Sequence, residues 1–240
     1  LDNTTGSENT AVGRSVLANN TTADSNTAVG FQALEANTTG TGHVAIGVYA
    51  LDAITTNNYA TAIGFNALTA NTASNVVAVG AYSLTANTTG DYNTALGYSA
   101  IELNTTGSNN TGLGHKALEA NTTADNNTAV GYLALNANTT GHSNVAVGAN
   151  ALDTNSTGNN NTAIGYLSLD KTTEDENVAV GNYTLRENTS GEYNTATGYQ
   201  ALTKNTTADG NSAFGWKALN SNTTGDYGTA VGYLALEECT

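Results

Sequence analysis

One short pattern of hydrophobic and polar residues recurs along the whole chain. It reads Asn-Thr-Ala-Val-Gly-Tyr-x-Ala-Leu-x-x-Asn-Thr-Thr-Gly-x-x, and we number its positions 1 to 17. The glycine of position 5 recurs every seventeen residues, with two intervals of sixteen, at 13, 30, 47, 64, 80, 97, 114, 131, 148, 165, 181, 198, 215 and 232. A period this regular predicts a stack of similar structural units, each packed on its neighbours.

The repeat unit predicts strands rather than helices. Seventeen residues are too few for a pair of helices, the apolar positions lack a 3.6-residue spacing, and Thr-Ala-Val contains β-branched strand formers. We therefore expect an all-β fold, a parallel β-solenoid (β-roll) of fourteen coils of about seventeen residues. Residues 1–240 are interpreted as a single repetitive domain, a segment of a longer fibrous protein.

Position 9 predicts the centre of the core. It is Leu in thirteen coils and Ile101 in the other. Stacked coils lie about 4.8 Å apart, so one leucine lies above another at nearly every step. The structural column includes Leu34, Leu51, Leu68, Leu118 and Leu135.

The strand has two faces, and the residues at its alternating positions indicate which face packs in the core. Position 2 is Thr, Val or Ser, and position 4 is Val, Ile or Leu in all coils except those with Thr197 and Phe214. These two positions share a face, and we expect them to point inward. Position 3, which is Ala in thirteen coils and Gly112 in the other, would then point outward and meet another chain.

Invariant or nearly invariant Gly and Asn mark two further positions. Gly at position 5, as in Gly30, Gly47 and Gly131, is typical of a positive φ or of close backbone approach. Asn at position 12 predicts a stacked amide ladder whose residues tolerate left-handed corners. Representative ladder residues are Asn37, Asn87 and Asn121. Ile54 interrupts this ladder, and the coil containing Thr172 is expected to have lost the ladder residue altogether.

The aromatic residues follow a longer period, of two coils. Position 6 is aromatic in alternate coils from Phe31 to Tyr199, and three of the intervening coils carry Tyr one place later, at position 7. We interpret this alternation as steric relief between rings in neighbouring coils. The shifted residues, Tyr49, Tyr82 and Tyr183, are candidate surface contacts.

Composition and charge narrow the partner classes. Apolar residues make up 39% of the chain and charged residues 11%, and a regular apolar period favours order over disorder. The net charge of −14, with only six Lys and Arg, argues against nucleic acid and anionic membranes as partners. The chain contains no apolar run long enough for membrane insertion, and Cys239 has no cysteine partner for a disulfide.

No pattern in the sequence indicates catalysis. The three histidines, His43, His115 and His142, occupy unrelated repeat positions and are not expected to converge on a metal. Acidic turns at 125–127 and 174–176 offer oxygen ligands for Ca²⁺, but the repeat of calcium-binding β-rolls is missing, so solvated turns are favoured. We expect no enzyme activity, no metal and no cofactor, because a uniform solenoid offers repeated surface rather than a unique pocket.

The repeat resembles the head repeat of trimeric autotransporter adhesins, and also repeats of phage tail-fibre proteins. The resemblance is carried by segments such as 144–148, Asn-Val-Ala-Val-Gly, and extends over all fourteen coils, although adhesin coils are typically shorter and lack the Asn-Thr-Thr-Gly segment. It implies a left-handed roll, side-by-side trimers, an extracellular location on a cell surface or virion fibre, and a cell-surface or glycan receptor.

Three function classes stay open at this stage. The first is an extracellular attachment fibre, and the second is a structural filament whose coils stack end to end between molecules. Ice binding is the third, but adjacent threonines such as Thr38 and Thr39 would face opposite ways on a strand. Eleven ladder asparagines also form N-glycosylation sequons, which are usable only if the ladder faces outward.

Overall fold

A computed structural model describes residues 3–238 of the chain. The chain divides into two compact units, with the boundary between Ala124 and Asp125, and each unit is described by itself. The described residues contain no helix. The first unit contains strands β1 Thr10–Val12, β2 Thr27–Val29, β3 Val44–Ile46, β4 Thr61–Ile63, β5 Val77–Val79, β6 Thr94–Leu96 and β7 Thr111–Leu113. The second contains β8 Thr128–Val130, β9 Val145–Val147, β10 Thr162–Ile164, β11 Val178–Val180, β12 Thr195–Thr197, β13 Ser212–Phe214 and β14 Thr229–Val231.

Within each unit, every strand pairs in parallel with the strand of the next coil. The register joins like positions of the repeat, as between Ala28 and Ala45 in the first unit and between Ala146 and Ala163 in the second. The predicted fold class, an all-β parallel solenoid built from short strands and turns, is confirmed.

The two short coils keep this register. Thr61 pairs with Val77 and Thr162 with Val178, although the residues in each pair are sixteen apart. The prediction that the second short coil lacks the ladder residue is wrong, because Thr172 is fully buried there and its Oγ1 accepts a hydrogen bond from Asn188 Nδ2 at 3.4 Å. In both coils the missing residue is that of position 14, in the following turn.

The assignment of the two strand faces is also wrong. Alanines of position 3 such as Ala28, Ala45 and Ala95 are fully buried inside the coil. Positions 2 and 4 point outward, where Ile46 is 38% and Leu96 43% exposed. The alanine column is therefore part of the core, and it gives no support to chain–chain contact.

Side-chain volume explains this orientation. The leucines of position 9 from Leu17 to Leu219 are buried and fill the interior opposite the strand, whereas Leu236, in the last coil, is 53% exposed. A Cβ added at Gly112 would lie 2.6 Å from Cγ1 of Ile101, so even a methyl group is tightly accommodated at this place. Val or Ile on the inner face would overfill a close-packed interior.

The leucines of position 9 adopt a left-handed backbone, which the sequence analysis assigned to the Asn ladder instead. Their φ angles run from +48° to +57°, and residues of position 7 lie in the same region. Such a conformation costs a non-Gly residue roughly 1–2 kcal/mol. Burial of the leucine side chain, about 1.5–3 kcal/mol, offsets the cost, and its N–H is also satisfied, as in Leu34 N–H to Ala50 O at 3.0 Å.

The glycines of position 5 lie where the backbones of adjacent coils come closest. Gly30, Gly47 and Gly131 have φ of +143°, +139° and +138°. A Cβ at Gly131 would lie 2.6 Å from the carbonyl oxygen of Gly148, and one at Gly47 would lie 2.3 Å from that of Gly64. Both a positive φ and a close approach therefore require glycine here.

Candidate functional site

The first candidate surface is the strand face, defined as the outward side chains of positions 2 and 4 in each unit. None of its members is charged in any of the fourteen coils, although the chain carries a net charge of −14. Exposed members in the first unit include Ile46, Ile63, Val77, Leu96 and Leu113. Seven strands of three residues cover about 34 Å by about 10 Å, an area near that of the largest apolar patch on an ordinary monomer.

The second candidate surface is the aromatic strip, formed by the rings of positions 6 and 7. In the first unit it consists of Phe31, Tyr49, Phe65, Tyr82 and Tyr98, whose successive ring centroids lie 5.5, 6.5, 5.4 and 5.8 Å apart. These neighbours meet edge to face, the arrangement favoured by the ring quadrupole. In the second unit the strip includes Tyr166, Tyr183, Tyr199, Trp216 and Tyr233.

Steric relief is not the reason for the alternation between positions 6 and 7. Tyr199, Trp216 and Tyr233 occupy position 6 in consecutive coils and stack nearly parallel, with centroids 6.1 and 5.1 Å apart. Alternation is thus one of two packings that the strip can adopt. The candidate contact residues Tyr49, Tyr82 and Tyr183 lie within the strip and are half-buried between their neighbours.

The position-12 asparagines lie inside the solenoid and form a ladder of side-chain amides. In the first unit Asn104 Nδ2 donates to Asn87 Oδ1 at 2.7 Å, and Asn121 Nδ2 donates to Asn104 Oδ1 at 2.7 Å. Asn37 donates in the same way to Asn20 at 3.3 Å. These asparagines are buried, so their sequons are closed to glycosylation in the folded coil, whereas Asn3, at the start of the described residues, is exposed.

A second asparagine ladder, at position 1, was missed in the sequence analysis. Its Oδ1 accepts the backbone N–H of the next coil, as from Asn110 to Asn93 at 2.9 Å, and its Nδ2 donates to a turn carbonyl, as from Asn26 to Gly40 at 3.0 Å. Position 1 is Asn in ten coils, so the repeat itself contained the signal.

His43 replaces asparagine in this second ladder and reproduces its hydrogen bonds. Its Nδ1 accepts the Ala60 N–H at 3.1 Å, so its proton lies on Nε2, which donates to the Asn57 carbonyl at 2.8 Å. Burial lowers the pKa of His43 below its usual value of 6.5, against the smaller opposing effect of its hydrogen bond to the Asn57 carbonyl. The fold therefore requires the neutral imidazole.

His43 is expected to make the stability of the first unit pH-dependent. Because its pKa is lower in the folded than in the unfolded chain, its contribution is complete above pH 6.5 and is lost as the pH falls towards the folded pKa. Urea unfolding between about pH 7.5 and about pH 5 should show a loss that His43→Asn removes. Equal pH profiles for the two proteins would contradict this assignment.

The described residues hold no group of three or more His, Cys, Asp or Glu side chains placed to bind a metal ion. Within residues 3–238, no helix has the length and apolarity needed to cross a membrane, and Cys239 lies outside this range. Comparisons with protein-family models, curated proteins and solved structures found no match.

Proposed function

We propose that this chain is a non-enzymatic structural module of an extracellular attachment fibre, and that copies of it associate side by side through their strand faces. The observation that carries the proposal is the absence of charge from this face, in a chain with a net charge of −14. Like-charged copies can approach there without burying an unpaired charge.

Self-association also fits the geometry of the strand face. Each copy presents the same columns of position-2 and position-4 side chains at the same coil spacing. The side chains of two parallel copies can therefore be aligned coil by coil. The patch of one unit, about 340 Å², is smaller than the roughly 800 Å² that each partner buries in a standard interface. The contact is therefore expected to extend beyond positions 2 and 4, and a trimer, as the adhesin resemblance implies, gives each chain two such contacts.

Light scattering at several concentrations tests this association. We expect a mass of three chains that does not change with concentration, and a mass of one chain for the double variant Ile46→Lys, Ile63→Lys. These two residues are paired in register in adjacent strands, so their side chains lie side by side on the strand face. Ala53→Lys with Ala70→Lys is the matched control, since it adds the same charge at position 11, where Lys171 and Lys204 occur naturally.

Three outcomes would contradict the proposal. Monomeric wild-type protein would remove side-by-side association, and a mass that grows with concentration would favour the end-to-end filament. Equal dissociation of both lysine variants would show that added charge, rather than the strand face, controls the mass.

Ice binding is a second candidate, favoured by one feature of the fold. Positions 2 and 4 are separated by one residue and both face outward, the spacing that Thr38 and Thr39 lack. Position 2 is Thr in nine coils, and both positions are Thr in the coil of Thr195 and Thr197. Association would cover these positions. Monomers with thermal hysteresis would therefore support ice binding, and oligomers without it the structural module.

A further inference from the structure

Three of the chain's six Lys and Arg side chains lie on the aromatic strip. The guanidinium of Arg14 lies 5.6 Å from the ring centroid of Phe31, and that of Arg186 lies 5.7 Å from the centroid of Tyr183. Lys217 Nζ lies 4.6 Å from the centroid of Trp216. These distances fall in the range of cation–π attraction.

Carboxylates of position 10 run beside the same rings. Positions 7 and 10 of one coil are in contact, as Lys116 and Glu119 are at 3.0 Å and Asn150 and Asp153 at 3.1 Å. In the second unit, Arg186 Nε lies 4.0 Å from Asp170 Oδ2 in the preceding coil. A cation there is held between an aromatic ring and a carboxylate.

The first unit repeats this arrangement, and Arg14 supplies the cation only at Phe31, the first ring of its strip. No Lys or Arg occurs between residues 15 and 115. Glu35 and Asp52 occupy position 10 in adjacent coils, alongside Phe31, Tyr49 and Phe65. Glu35 accepts a hydrogen bond from Gln32, whereas Asp52 Oδ1 is buried and has no hydrogen-bond partner among the described residues.

The negative charge of Glu35 disfavours ionisation of Asp52. Burial, and secondarily the negative charge of Glu35, raises the pKa of Asp52 above its usual value, against a smaller opposing backbone hydrogen bond. A cation placed between them would relieve this repulsion and give Asp52 Oδ1 a donor.

We propose that the strip from Tyr49 to Phe65, with Glu35 and Asp52, binds a Lys- or Arg-rich segment of a partner protein. Arginine is the preferred ligand residue at this site, because its planar guanidinium stacks on a ring while its N–H groups donate to carboxylates. A neutral glycan would also stack on the rings, but it would not satisfy the paired carboxylates, and the cations that the chain itself places on the strip favour a basic ligand. This inference adds a partner to the proposed function and uses a different surface.

Fluorescence anisotropy with a labelled peptide of alternating Arg and Gly tests the inference, with Gln replacing Arg in the control peptide. We expect saturable binding of the Arg peptide near physiological salt, at about 0.15 M. The double variant Glu35→Gln, Asp52→Asn should weaken binding about tenfold, and Tyr49→Leu about threefold.

The matched control is the double variant Asp24→Asn, Asp91→Asn, which removes two charges from the same unit at position 16. Asp24 Oδ1 accepts from Ser7 N–H as Asn58 Oδ1 accepts from Thr41 N–H, so asparagine fits this position. We expect its effect on affinity to stay below about twofold, since distant exposed charges are screened.

Equal weakening by the two double variants would overturn the proposal, because general charge attraction would then account for binding. Binding of cellohexaose in place of the Arg peptide would also overturn the proposal, because the strip would then be a binding site for a neutral glycan. Light scattering of the same variants separates the two proposals, since loss of peptide binding with unchanged particle mass concerns the aromatic strip alone.

Discussion

Replacement of Gly131 by Ala is expected to open the second unit locally, at a cost above about 4 kcal/mol. Two effects add. The backbone has φ of +138°, a conformation that L side chains rarely adopt, and the added Cβ would lie 2.6 Å from Gly148 O and 2.7 Å from its carbonyl carbon. Neither neighbour is a flexible side chain, so relief requires the two coils to separate.

Hydrogen exchange locates this effect. The N–H of Gly148 donates to Val130 O at 2.8 Å and that of Asn150 to Tyr132 O at 2.9 Å, and both should lose protection in Gly131→Ala. Gly210→Asn is the matched control in the same unit. Gly210 also has a positive φ, of +66°, but its position 17 holds Asn in other coils, and a Cβ there would meet only the exposed ring of Tyr227.

For this control we expect a change in unfolding free energy within about 0.5 kcal/mol. Unchanged exchange in Gly131→Ala, or an equally large loss in Gly210→Asn, would show that close backbone approach does not set the requirement for glycine.

Asn104→Asp is expected to destabilise the first unit by about 3–5 kcal/mol at neutral pH, as an uncompensated buried charge does. The change keeps the shape of the side chain and its acceptor for Asn121. However, it removes the amide that donates to Asn87 Oδ1 at 2.7 Å and to Gly107 O at 2.8 Å, so the carboxylate oxygen in its place would face two oxygens without any donor.

The sign of the pH dependence distinguishes this effect from a simple loss of packing. Burial against oxygens would raise the pKa of the new carboxyl in the folded state, so the folded protein binds the proton more tightly than the unfolded one. The stability gap to the wild type should therefore narrow as the pH falls towards about 4, where the acid is neutral and can donate one hydrogen bond.

Asn58→Asp provides the comparison for this prediction. Asn58 lies at position 16, where Asp24 and Asp91 occur naturally, and its Oδ1 only accepts the Thr41 N–H at 2.8 Å and the Thr41 hydroxyl at 3.2 Å. We expect a small change in urea midpoint at every pH. A gap for Asn104→Asp that does not vary with pH would contradict the ladder assignment.

The leucine core of each coil could be predicted from sequence because the same repeat position carries the same type of side chain in nearly every coil. Leu118 and Leu135 recur at a fixed interval, and nothing but burial explains such constancy. The same holds for Gly131, where a side chain is excluded, and for the amide ladder through Asn87 and Asn121. Regular repetition turns each of these positions into many independent observations.

The orientation of the strand could not be predicted in the same way. A three-residue strand such as Val44–Ile46 presents apolar atoms on both faces, so hydrophobicity does not distinguish them. The decision depends on the interior volume left by the leucine column, which admits Ala45 and excludes Ile46. That volume is a property of the assembled coil, and the strand's own residues do not contain it.

Thr172 was misassigned for a different reason. In a coil that is one residue shorter, the missing residue can be assigned to several repeat positions. Because the other ladder residues are nearly all Asn, the absence of Asn in this coil suggested that position 12 was the missing one. The structure shows that the buried hydroxyl continues the hydrogen-bonding column, since it accepts from Asn188 as an amide oxygen would. Hydrogen-bonding capacity, rather than residue identity, defines the position.

The tolerance of the turns has a consequence for inheritance. Coils on either side of a lost position-14 residue stay in register, as Thr61 and Val77 do, and each coil enters and leaves its neighbour with the same geometry. A gene segment encoding one whole repeat could therefore be copied or removed by recombination at any corresponding pair of codons without creating a foreign junction. Variation in coil number between related genes would then change the length of the surface columns while leaving each coil chemically the same.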